Sequence, residues 1–203
     1  MIGVVGGIGS GKSLVSKLLE ELGCTVIDSD QAAHEVLRQP EVKAEMVLWW
    51  GPEILGADGE INRKAVAGRV FGKPDEIARL NHLVHPKVKE RRDLQMAAWR
   101  NDPAVQGVVW DTPLLFEVGL DRECDAVIFV NTSFNNRLKR VSISRHWSRE
   151  ELEKREKSQF SLDKKQLLAD YSVDNSGDVA ATRCQIREIF SLILSRKFPV
   201  CRK

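Results

Sequence analysis

Residues 6–13 read Gly6-Gly7-Ile8-Gly9-Ser10-Gly11-Lys12-Ser13, set between an apolar run (Ile2 to Val5) and an amphipathic stretch. The pattern is G-x-x-x-x-G-K-[ST] in a strand-loop-helix context. Glycines at these positions let consecutive backbone N–H groups turn inward in dihedrals that a side chain would forbid. A helix beginning near Lys12 adds its positive dipole end to the same point. Such a loop is built to cradle phosphate oxygens. Lys12 can then reach the β- and γ-phosphates of a nucleotide, and the Ser13 hydroxyl can ligate Mg²⁺. The candidate nucleotide-binding set is Gly6, Gly7, Ile8, Gly9, Ser10, Gly11, Lys12 and Ser13, with Leu14 behind it. The bland alternative, a glycine turn that merely joins strand to helix, does not account for the extra glycines at 7 and 9.

The rest of the chain fits the same architecture. Leu14, Leu18 and Leu22 share a helix face with Val15 and Leu19, and Gly23 is placed to end that helix in a left-handed conformation. Buried parallel strands are predicted at Thr25–Ile27, Val108–Trp110, Ala126–Val130 and Tyr171–Val173. They end at Asp28, Asp111, Asn131 and Asp174-Asn175 respectively. A closing helix carries Ile186, Ile189, Phe190, Ile193 and Leu194. Short strands alternating with amphipathic helices predict an α/β fold, a parallel sheet flanked by helices of the P-loop NTPase type. Polar residues just past such strands face the ligand crevice, which singles out Asp28, Asp30 and Asp111. Asp111 is a candidate carboxylate for Mg²⁺ through water, a helix cap or turn residue being the alternative.

Two stretches break the alternation. Residues from about 31 to 101 read as a helical insertion, with a turn at Asp58-Gly59 and a helix entry at Pro86. Residues from about 137 to 168 are dense in charge. Ser148 and Glu151 have capping-box spacing, and Glu150/Lys154, Glu151/Arg155 and Glu153/Lys157 are i,i+4 pairs, so the stretch is expected to be a solvent-exposed helix. The whole is expected to be a single domain over 1–203, with the insertion and a lid raised on it.

Composition narrows the function. The 203 residues hold 31 basic against 29 acidic side chains, a formal charge of +2, which argues against nucleic acid or a membrane surface as the main partner. Four scattered cysteines (24, 124, 184, 201) form no zinc-ligand spacing or disulfide framework. No apolar stretch approaches membrane-spanning length, and Met1 to Val5 lacks the basic lead-in of a signal peptide, so a cytoplasmic protein is expected. GTPase elements are missing too: no N-K-x-D occurs, and Asp111-Thr112-Pro113-Leu114 lacks the glycine of D-x-x-G. A small chain with an insertion and an Arg-bearing segment suits a kinase that closes over a small acceptor.

At this level the residues resemble the dephospho-coenzyme A kinases. The resemblance runs through the phosphate loop and Gly23-Cys24-Thr25-Val26-Ile27-Asp28-Ser29-Asp30, then Asp58-Gly59-Glu60-Ile61-Asn62-Arg63 and Leu80-Asn81-His82-Leu83-Val84-His85-Pro86. It continues with Pro113-Leu114-Leu115-Phe116-Glu117, Gln159 and Ala169-Asp170-Tyr171-Ser172-Val173-Asp174-Asn175. It implies that ATP gives its γ-phosphoryl group to the ribose 3′-hydroxyl of dephospho-coenzyme A. By the same resemblance Asp30 is the catalytic general base at the acceptor, beside Lys12, with an N-cap role as the alternative. Arg63, His85 and Leu114 become candidate substrate contacts, although His85 could be only a helix cap and Leu114 to Phe116 only core. Lid arginines are implied at the phosphates. The family usually has one four residues after Arg140, but here that position is Ser144 and Arg145 follows, leaving Arg140 and Arg145 as candidates. A one-residue shift turns a helical side chain by about 100°. ATP and Mg²⁺ are the implied cofactors, and the sequence leaves the oligomeric state open, with a monomer as one plausible state. Two other readings keep the loop: a kinase for a nucleoside or nucleotide, and an ATP-gated regulatory module. An acceptor panel separates the first, and release of phosphate with no modified acceptor identifies the second.

Overall fold

In the computed structural model the residues described are 1–195, and the side chains of Asp28, Ser29, Asp30 and Arg100 fall outside the description. Five strands, β1 (Ile2–Gly6), β2 (Cys24–Asp28), β3 (Gly107–Asp111), β4 (Ala126–Asn131) and β5 (Tyr171–Asp174), form one sheet in the order β2-β3-β1-β4-β5. β1 lies at its centre, parallel to β3 and β4, and β4 is parallel to β5. All five residues of β1 are buried, as a strand covered on both faces must be.

Helix α1 (Lys12–Glu20) and the closing helix α9 (Val179–Ser195) cover the sheet. Val15, Leu18 and Leu19 of α1 and Ile186, Ile189 and Phe190 of α9 join Ile2, Val4, Val109, Ile128 and Val173 in one apolar core. Gly23, with φ of 89°, donates its N–H to the Glu20 carbonyl and turns the chain into β2. Cys24 and Cys124 are buried and unbridged, and Cys184 is exposed. Burial pushes the Cys24 thiol up to about 11, so it is inert. Cys201 lies outside the described residues.

The chain divides into two compact units, 28–101 and the remainder. The helical unit holds α2 (Ser29–Leu37), α3 (Pro40–Trp50), a 3-10 turn at Pro52–Ile54, α4 (Arg63–Val70) and α5 (Pro74–Arg100). Its own core gathers Val36, Val42, Met46, Trp50, Ile54, Val66 and Val84. The expected turn is present, with Gly59 at φ of 73° donating to the Gly56 carbonyl. The expected helix entry at Pro86 is not. Pro86 sits inside α5, which runs unbroken for 27 residues. A proline there removes one backbone hydrogen bond. Leu80, Leu83, Val84 and Val88 pack into the unit's core on both sides of it and hold the helix continuous.

The charged stretch also differs from expectation. It forms three helices, α6 (Phe134–Arg145), α7 (Arg149–Glu156) and α8 (Leu162–Leu168). His146, at φ of 56°, ends α6 in the left-handed region, and Ser148 and Ser161 cap the next two by accepting from Glu151 and Lys164 N–H. Arg137, Val141, Leu152 and Lys165 are buried, so each helix turns one face inward.

Candidate active site

The phosphate loop leaves the carboxyl end of β1, and strand register decides what meets it. Val4 pairs with Asp111, which places that carboxylate one strand over from the start of the loop. Asn131 pairs with Asp174, so the next residues, Thr132 and Asn175, stand side by side at the same end of the sheet. Both aim at one atom. The Ser10 carbonyl accepts from Thr132 Oγ1 at 2.9 Å, Asn175 Nδ2 at 2.7 Å and the Arg140 guanidinium at 3.0 Å. Thr182 of α9 donates to Asn175 Oδ1 at 3.2 Å and orients the amide. Three segments distant in sequence therefore set the peptide plane in the middle of the loop.

Glycine is required where this framework closes in. Gly9 has φ of 76°, and a Cβ there would lie 2.9 Å from the Arg137 carbonyl oxygen. Gly11 has φ of 92° and serves as N-cap of α1, with a Cβ position 2.1 Å from Asn175 Nδ2. A side chain at either site would be strained in backbone and in space. Helix α1 then begins at Lys12, its first-turn N–H groups without intrahelical carbonyls to bond. The Ser13 hydroxyl is exposed in that turn. Leu14 instead packs on the core and gives its N–H to the Gly11 carbonyl, so its contribution is to hold the loop.

Lys12 Nζ donates to the Gly6 and Gly7 carbonyls at 3.2 and 3.1 Å. Burial pushes its ammonium down from the ordinary 10.5 to about 8. Asp111 opposes that, while Lys165, Arg145 and Arg137 add repulsion. Two of these cations are already paired, Arg137 with Glu156 and Lys165 with Glu117, so what faces an anion is Lys12 with the main-chain N–H groups of the loop and the start of α1. Asp111 accepts from Ser16 Oγ of α1 at 3.0 Å. The nearest helical turn after it starts at Leu120, capped by Gly119, so Asp111 is no helix cap.

The two lid candidates are placed differently. Arg140 spends its guanidinium on main chain, donating to Gly9, Ser10 and Asn175 carbonyls, which makes it a brace for the loop. Arg145 lies over the Trp147 ring, 4.9 Å from its centroid, with Arg155 at 4.2 Å from the same centroid. Ser144, at the position where arginine is usual, donates back to the Arg140 carbonyl at 2.8 Å. The residues missed by sequence reasoning are supports: Thr132, Arg137 and Thr182, with Asn175 noticed only as part of a motif. Arg137 reaches the Ile8 carbonyl at 3.3 Å and pairs with Glu156. A buried arginine among charged neighbours carries no local signal that it faces inward.

In the helical unit, Asp30 lies in the first turn of α2, which begins at Ser29; its side chain is outside the description. Arg63 opens α4, is exposed, and borders a cavity of about 490 Å³ with Gln31, His34, Arg38, Asp58 and Glu60. His85 is exposed in the interior of α5, so it caps no helix, and that cavity does not include it among its walls. Leu114 is exposed, whereas Leu115 and Phe116 are core.

The sheet order and the braced loop define a protein of the P-loop nucleotide-binding type. Residues 1–181 match the dephospho-CoA kinase family. A dephospho-CoA kinase of Deinococcus radiodurans is 39% identical over 185 residues, covering 91% of this chain and 88% of the relative. That of Carboxydothermus hydrogenoformans is 37% identical, covering 93% and 92%. Among solved structures, the protein TT1252 from Thermus thermophilus superimposes with a TM-score of 0.79 at 31% identity, covering 96% of this chain and 97% of that one. The chain belongs to the dephospho-CoA kinase family.

Proposed function

We propose that this protein transfers the γ-phosphoryl group of ATP to the 3′-hydroxyl of dephospho-coenzyme A, giving coenzyme A and ADP. The observation that carries the reading is the family match over residues 1–181, on a chain whose phosphate loop is held open by Ser10, Gly9 and Gly11 geometry.

In this reading the first-turn N–H groups of α1 and the loop from Gly6 to Ser13 bind the β- and γ-phosphates. Lys12 exchanges its two carbonyl partners for phosphate oxygens, and the anion offsets the penalty that burial places on the ammonium. The donors near the loop suit magnesium: the Ser13 hydroxyl and the Asp111 carboxylate, the latter through water, are hard oxygens. Mg²⁺ bound there supplies charge that neutralises the β- and γ-oxygens. Asp30 takes the proton of the attacking hydroxyl and Arg63 holds an anionic part of the acceptor, as the family resemblance implies. His85 and Leu114 are further acceptor contacts in this reading. Arg145, released from Trp147, is the arginine that reaches the transferring phosphate, because Arg140 is committed to the loop. The helices of residues 137–168 form the lid and 31–101 the acceptor-binding insertion of one domain. Unbridged cysteines among the described residues fit a cytoplasmic site.

Mass spectrometry of dephospho-CoA incubated with ATP, Mg²⁺ and the protein tests the reading. One added phosphate, with one ADP formed per acceptor, is expected. Phosphate release with unmodified dephospho-CoA would overturn it.

A further inference from the structure

Lys165 is the one lysine among the described residues classed as buried, and its burial is complete. It lies in α8, in a stretch whose composition suggests a solvated surface. Its ammonium donates to the Pro113 carbonyl at 2.9 Å and to Gln159 Oε1 at 3.0 Å, and pairs with Glu117 Oε1 at 3.0 Å. Glu117 Oε1 also accepts the Phe160 N–H at 2.7 Å. Pro113 is two residues past Asp111, and Glu117 is four further on. One lysine thus ties the tail of β3 to the start of α8 and to the connection before it.

The other end of the same helix face rests on the phosphate loop. A Cβ at Gly7 would lie 3.1 Å from Leu162 Cδ2, so Leu162 abuts the loop there. Leu162 and Lys165 are three residues apart and share a helix face. A single turn of α8 therefore spans from the loop to the segment that follows Asp111. Asp111 in turn faces Lys12 and Ser16. A buried ion pair is a poor way to gain stability compared with apolar residues of equal volume. It is a good way to fix a register, because its partners must meet at defined positions.

We propose that Lys165 is a positioning residue for phosphoryl transfer, clamping the Asp111 end of β3 to the phosphate loop through Pro113, Glu117 and α8. The proposal rests on the kinase reading above for its reaction, but not for its geometry.

The test is the double variant K165M/E117Q, which removes both charges at nearly constant volume and keeps an acceptor for the Phe160 N–H. Its unfolding in urea and its steady-state kinetics are compared with those of the wild type. The expected outcome is a midpoint within about 0.5 M of the wild type, a kcat lower by about 10-fold or more and a KM for ATP within about threefold. A folded double variant with kcat within twofold of wild type, or with a KM for ATP that rises as much as kcat falls, overturns the proposal. Should the double variant not fold, Gln159→Leu removes one acceptor at a partly buried site, and an unchanged kcat there also overturns it. If dephospho-CoA is not the acceptor, the same ratios read on phosphate release from ATP alone decide about Lys165, because that reaction still needs the loop and Asp111.

Discussion

Replacing Lys12 with Met should stabilise the fold while abolishing its chemistry. The ammonium is held in a part-buried cleft beside three other cations, and its affinity for a proton falls from 10.5 to about 8. That gap corresponds to ~3 kcal/mol of penalty on the charged form. Below pH 8 the lysine is protonated in both folded and unfolded chains, so the folded protein carries the whole penalty. Between about pH 8 and 10.5 the unfolded chain holds the proton and the folded one has lost it, so stability rises with pH across that window. Methionine has the length of the lysine stem and no charge, but it cannot donate to the Gly6 and Gly7 carbonyls. Allowing for those two hydrogen bonds, the variant should gain about 1–3 kcal/mol at pH 7. Urea unfolding of both proteins from pH 6 to 10.5 measures it. Contributions from other titrating groups, Cys24 included, cancel in the difference. The advantage of the variant should shrink steadily above pH 8, while its kcat at pH 7 is lower by about 10²–10³-fold. A variant less stable than wild type at pH 7, or a difference that does not change with pH, would refute the account of Lys12 as a desolvated charge kept for its ligand.

Three further outcomes follow from the geometry. Asn175→Ala removes one of three donors to the Ser10 carbonyl, and Thr182 keeps the Asp178 carbonyl as a partner. The stability loss should therefore be about 1–2 kcal/mol in urea unfolding, with a raised KM for ATP; an unaltered KM would remove Asn175 from the loop's support. Gly9→Ala puts a Cβ against the Arg137 carbonyl at positive φ, so ATP binding in a calorimetric titration should weaken by about 10-fold or more, and wild-type affinity would contradict this. Asp30→Asn should lower kcat by about 10²–10⁴-fold with ATP affinity little changed, whereas a preserved kcat would assign Asp30 a structural part.

What the sequence announces here is what it encodes locally. The strands at 2–6, 107–111 and 126–131 are built on continuous apolar runs, and the loop between β1 and α1 is written in glycines, so both are visible without tertiary information. Pro86 shows the limit. Its local signal is a helix boundary, but apolar residues on both sides pack into one core and the helix passes through it. The charged stretch misleads for the related reason that charge density reads as exposure. Ser148 is visible as a cap, whereas Arg137 and Lys165 are buried because partners 19, 48 and 52 residues away meet them. The same holds for Asn175, whose partner is 165 residues distant. In the site, the residues that touch phosphate in the proposed reaction are legible, and those that shape the loop around it are not.

The three donors on the Ser10 carbonyl have a consequence for how the protein is made. Residues 6–13 leave the ribosome long before the groups that shape them, at positions 132, 140 and 175, with Thr182 orienting the last. During synthesis the loop therefore has its glycines and its lysine long before it has its shape. The loop takes its braced form only once Asn175 has emerged, so a truncated product ending before residue 175 would carry the complete motif and is expected to bind ATP poorly.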